Sequence, residues 1–70
     1  MQSKYEIIIY WSEDDNAYIA EVPELAGCIA DGNSYTEALQ NAEVIISEWI
    51  ETAISLNREI PKPKGKLMYA

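Results

Sequence analysis

The stretch from Ser34 to Leu56 constrains this chain more than any other part of it. Leu39, Ala42, Ile46, Trp49, Ala53 and Leu56 recur at alternating intervals of three and four, which lines them along one face of an α-helix. No Gly or Pro interrupts the run. Ser34 stands three residues before Glu37, the capping-box spacing, in which each side chain satisfies a free backbone N–H at the helix start. Asn57 followed by Pro61 supplies a stop. The rest of the chain is expected to cover one side of this helix.

Three short segments before the helix read as strands. Tyr5 to Ser12 is rich in β-branched and aromatic residues, with Tyr5, Ile7, Ile9 and Trp11 on one face and Glu6, Ile8, Tyr10 and Ser12 on the other. That second face is only partly polar, which points to partial cover by another element or subunit. Glu13-Asp14-Asp15-Asn16 suits a turn between antiparallel strands. Ala17 to Val22 is the second strand, ended by Pro23, which lacks an N–H. A turn through Gly27 leads to a third strand over Cys28 to Asp31, and Gly32-Asn33 reverses the chain into the helix cap. After the helix, two prolines make residues 58–64 an extended connection, and Lys66 to Tyr69 reads as a brief fourth strand. That strand belongs on a sheet edge, of its own subunit or of a neighbour. The pattern predicts an α+β fold: a two-layer β-β-β-α-β domain with a three-stranded antiparallel sheet, one long helix packed on it and a short fourth strand.

Size bears on how such a domain is stabilised. Residues 1–70 make one small domain, and at this size folding buries only about 60% of the unfolded chain's surface. A single cysteine, Cys28, excludes an internal disulfide, and with no histidine a structural zinc site lacks its usual ligands. Self-association is the expected support. The helix agrees: Ile50 and Ile54 extend one margin of its stripe, Ile45 and Ala38 the other, and Val44 sits nearly opposite. These positions span roughly 180°, wider than the stripe of somewhat over 100° that one sheet requires. A homo-oligomer, dimer or tetramer, is expected. No apolar run approaches a membrane span and the N-terminus lacks a signal-peptide layout, so a cytoplasmic location is the default.

Charge narrows the partners. The net charge is −7, and the span from Tyr5 to Asn57 holds eleven of the twelve carboxylates and no Lys or Arg. Four of the five cations, Arg58, Lys62, Lys64 and Lys66, follow that span. A phosphate backbone needs a cationic surface, so direct nucleic-acid binding is not expected. An acidic body attracts a basic protein.

Catalysis has little to draw on. With no histidine, the usual general base is missing. Cys28, on a strand expected to be buried, reads as a small core residue. Glu13, Asp14 and Asp15 could in principle hold Mg²⁺ together with Asp31 and Glu37, but adjacent turn acids are a weak signal. No enzyme activity, cofactor or metal is expected. All seven aromatics are Tyr or Trp, residues suited to surfaces with one apolar and one wet side. Charge, exposure and aromatic character select Tyr10, Glu13, Asp14, Asp15, Glu21, Glu24, Val44 and Tyr69 as candidate partner contacts.

Tyr18-Ile19-Ala20-Glu21-Val22-Pro23-Glu24-Leu25-Ala26-Gly27-Cys28, then Asp31-Gly32, then Thr36-Glu37-Ala38-Leu39-Gln40-Asn41-Ala42, resembles the HicB antitoxin family. The likeness spans residues 5 to about 63 and includes Ile60-Pro61-Lys62-Pro63. It implies a domain similar to a truncated ribonuclease H fold, with the fourth strand parallel to the first and beside it. It also implies a role: to bind and block a small basic messenger-RNA-cleaving toxin, HicA, by occluding its active site. Many members add a C-terminal DNA-binding domain. This chain stops at Ala70, so DNA binding is not carried over. Ala26 stands where the family often has Pro, and no counterpart of the ribonuclease H acidic cluster is evident. The alternative is an orphan oligomeric domain with a structural or small-ligand role and no toxin.

Overall fold

A computed structural model describes residues 4–64. Three strands precede one helix: β1 (Ile8–Ser12), β2 (Ala17–Glu21), β3 (Ile29–Gly32) and α1 (Tyr35–Ser55). They form an antiparallel sheet in the order β1-β2-β3, with Tyr10 opposite Ile19 and Ile19 opposite Asp31. The α+β class and the three-stranded sheet follow the sequence pattern. The fourth strand expected over Lys66 to Tyr69 lies outside the described residues.

Each turn has a local cause. The β1–β2 connection is the four-residue acidic turn, closed by Asn16 N–H donating to the Glu13 carbonyl at 3.3 Å. Asn16 takes a positive φ of 52°, which asparagine tolerates better than most residues. β1 begins at Ile8, three residues later than the pattern suggested. Tyr5 nevertheless stays in the core at 9% exposure, and its hydroxyl donates to the Pro61 carbonyl.

Helix α1 starts as its cap predicts. Ser34 Oγ accepts the Glu37 N–H at 3.0 Å. The return bond differs from the simple capping box, because Glu37 Oε1 accepts from Asn33 N–H at 3.0 Å, one residue earlier. At the other end Leu56 is the C-cap. Asn57 follows with φ 56°, while Arg58 N–H reaches the Ala53 carbonyl and Asn57 N–H the Ile54 carbonyl. This is a Schellman closure with asparagine in the left-handed position.

Packing corrects the stripe read from spacing. The buried line on α1 is Ala38, Ala42, Ile46 and Ala53, whereas Leu39 and Leu56 are 39% and 56% exposed. The cause is close approach: Ala20 on β2 meets Ala38 and Ala42 with almost no side chain between the layers. The backbones can come that near only because all three residues are alanine. Ala38, expected at a margin, is therefore the centre of the contact.

A 21-residue helix is about 32 Å long, whereas five-residue strands reach only about 17 Å. The C-terminal half of α1 therefore overhangs the sheet. The loop between β2 and β3 covers it, folded back by Val22 N–H bonding to Cys28 O and Cys28 N–H to Leu25 O, each at 3.0 Å. Leu25, Val22, Cys28 and Tyr5 pack there around Ile46, with Trp49 and Ile50 at the rim. Trp49 Nε1 donates to the Ala26 carbonyl at 2.9 Å and pins this loop to the helix.

The two outer strands differ at their free edges. Asn41 Nδ2 donates to the Asp31 carbonyl at 2.7 Å, so a helix side chain satisfies part of the β3 edge. β1 has no strand on its outer side among the described residues. No described helix is long and apolar enough to cross a membrane.

Candidate functional site

Strand alternation sends Ile7, Ile9, Tyr18, Ala20 and Ala30 toward α1. The register then puts Ile8, Tyr10, Ala17, Ile19, Glu21, Ile29 and Asp31 on the opposite face of the sheet. No described element covers that face. Ile29, Tyr10 and Ile8 are 53%, 41% and 37% exposed. Ile19 is only 7% exposed, because it sits mid-sheet between its cross-strand partners Tyr10 and Asp31. The centre of the face is therefore apolar.

Carboxylates rim it. Glu21 Oε2 accepts the Tyr10 hydroxyl at 2.6 Å. That hydrogen bond raises the Tyr10 phenol above its ordinary pKa, with smaller contributions from desolvation and from the charges of Glu21 and Asp15. Asp15 Oδ2 in turn accepts the Ser12 hydroxyl at 2.7 Å, which holds it against the sheet at the end of the hairpin. Asp15, Ile19, Ile29, Ala30 and Asp31 line a cleft of about 340 Å³.

The structure brings three of the candidate contacts onto this face, namely Tyr10, Asp15 and Glu21. Glu13 and Asp14 are exposed in the adjoining turn, and Glu13 Oε1 accepts the Trp11 indole N–H at 3.2 Å. Glu24 is engaged elsewhere, since its two oxygens accept the Lys64 N–H at 3.1 and 3.4 Å. Val44, 56% exposed, belongs to the helix layer, away from this face. Tyr69 lies outside the described residues. Ile29 and Asp31, not among the candidate contacts, share this face, and their spacing of two on a strand already set them on one side.

The acids do not assemble a metal site: among the described residues no group of three or more His, Cys, Asp or Glu is placed to hold an ion. Cys28 is buried, and desolvation pushes its thiol pKa up, which makes it less nucleophilic at neutral pH.

A small sheet-and-helix domain offering an apolar face with an acidic rim has the make-up of a protein-recognition module. Residues 5–68 match the family described as the HicB-like antitoxin of bacterial toxin–antitoxin systems. The chain belongs to that family. It is 32% identical over 63 residues to a UPF0150 protein of Synechocystis, covering 90% of this chain and 85% of the relative. A UPF0150 protein of Thermoplasma acidophilum is 37% identical over 63 residues, covering 90% of each. An uncharacterised protein of Haemophilus phage HP1 is 35% identical over 48 residues, which cover 69% of this chain and 36% of the phage protein. No solved structure matches the chain.

Proposed function

We propose that this chain is an antitoxin that binds a small basic HicA-type toxin and occludes its RNA-cleaving site, without catalysing a reaction itself. The observation that carries this is the charge map of a family member: a folded body, Tyr5 to Asn57, with eleven carboxylates and no cation. Such a body steers a basic nuclease into contact and repels the RNA it would cut.

Two features of the fold complete the proposal. The outer edge of β1, unpaired among the described residues, leaves room for a fourth strand from the same chain or a neighbour, in a ribonuclease H-like order. Leu39, Val44, Ile54 and Leu56, exposed on one helix, support self-association into a dimer or larger assembly. The complex acts in the cytoplasm, where messenger RNA is translated.

Calorimetric titration against a HicA-type toxin encoded beside this chain tests the proposal. Saturable binding at micromolar concentrations or below is expected. A flat titration with active toxin would remove the antitoxin role and leave an oligomeric domain of another purpose.

A further inference from the structure

The open sheet face has one cleft shaped for a particular kind of side chain. Ile19 and Ile29 give it an aliphatic lining on this face, and Asp15 and Asp31 line it as well. Resting on the antitoxin reading above, we infer that this cleft seats an arginine or lysine side chain of the basic partner, with its stem on Ile19 and Ile29 and its charged head between Asp15 and Asp31. Long cationic side chains have this dual character, an apolar stem that packs and a head that seeks charge or water. The face around the cleft supplies what a docked surface needs next: exposed Ile8 and Tyr10 for apolar contact, and Glu21 for charge.

Charge sorts the competing occupants. A second copy of this chain would bring another Asp15, Glu21 and Asp31 against the first set, and like charges juxtaposed at an interface are costly. Nucleic acid is repelled for the same reason. Two of the chain's own cations are anchored elsewhere through their backbones, Arg58 at the helix end and Lys64 at Glu24. A metal ion finds too few ligands: among the described residues no group of three or more His, Cys, Asp or Glu is placed to hold one. A cationic protein surface satisfies both the aliphatic lining and the carboxylates.

The test uses the full chain, isotope-labelled for NMR, with two probes. One is the short peptide acetyl-Leu-Arg-Leu-Arg-amide, beside a control in which Gln replaces each Arg. The other is the HicA-type toxin. With the arginine peptide, amide shifts are expected to concentrate at Ile19, Ile29, Ala30 and Asp31, and to vanish with the glutamine control. Asp31→Asn and Ile29→Ser, both at exposed positions that leave the core intact, are each expected to weaken peptide and toxin by about tenfold or more, whereas Gln40→Ser, exposed on the helix, leaves both unchanged. Shifts confined to the helix, or unaltered binding in Asp31→Asn and Ile29→Ser, would overturn the assignment. A wild-type chain that binds the peptide in this cleft but ignores the toxin would overturn the antitoxin reading alone.

Discussion

Gly32 and Ala38 touch through their backbones. A Cβ built on Gly32 would stand 2.5 Å from the Ala38 nitrogen and 2.8 Å from the Glu37 carbonyl carbon. The last residue of β3 therefore fixes how near the first turn of α1 comes to the sheet, and every layer contact downstream inherits that spacing. Neither obstructing atom can rotate away, since both belong to the helix backbone. Gly32→Ala should destabilise the domain by about 3 kcal/mol, the upper end of what overpacking costs. Urea unfolding followed by circular dichroism reads this directly, and an unchanged midpoint would show that the layers can part.

The helix start offers a second test. Ser34 Oγ is the acceptor for the Glu37 N–H, so Ser34→Ala should cost about 1 kcal/mol. Glu37→Gln should cost less than about 0.5 kcal/mol, because an amide oxygen can still accept from Asn33 N–H. The same unfolding measurement ranks the two variants, and a larger loss from Glu37→Gln would contradict the capping geometry.

At the helix end Asn57 holds a positive φ of 56°. A residue with an ordinary Cβ pays about 1 kcal/mol in that region, while glycine pays none. Asn57→Ala should therefore lower thermal stability, and Asn57→Gly should hold or raise it. Opposite ordering in a melting experiment would refute the left-handed cap.

Tyr10 makes a prediction in pH. Its hydrogen bond to Glu21, then desolvation and nearby carboxylates, raise its folded-state pKa. A raised pKa favours the neutral phenol in the folded state. The stabilising contribution is therefore complete below the unfolded tyrosine pKa, about 10, and is lost as pH rises through the higher folded value. Ultraviolet titration of the phenolate should give a late-ionising tyrosine that returns toward the ordinary value in Glu21→Gln.

Much of this was legible in the residues. Ser34 with Glu37, the acidic turn and the alternation in Tyr5 to Ser12 each act locally, through one or two hydrogen bonds or a side-chain direction, so spacing reveals them. The buried stripe of α1 was legible only in outline. Which edge of a wide apolar helix faces the sheet depends on the Gly32 contact and on Ala20, and neither is local to the helix. The same limit applies to the candidate partner contacts. Charge and aromatic character selected Tyr10, Asp15 and Glu21 as candidates, but only the strand register puts Tyr10 and Glu21 on one face with Ile29 and Asp31, and only the helix places Val44 in the other layer. Glu24 was selected for its charge, and only the folded path of residues 58–64 shows it holding Lys64.

The most direct test of the antitoxin role is an RNA-cleavage assay with a purified HicA-type toxin and increasing amounts of this chain. Binding that occludes the nuclease should halt cleavage near equimolar ratio, and rising salt should weaken the block, because screening reduces attraction between the acidic body and a basic enzyme. Cleavage that continues unchanged at large excess of the chain, with the toxin active and the chain folded, would contradict the account.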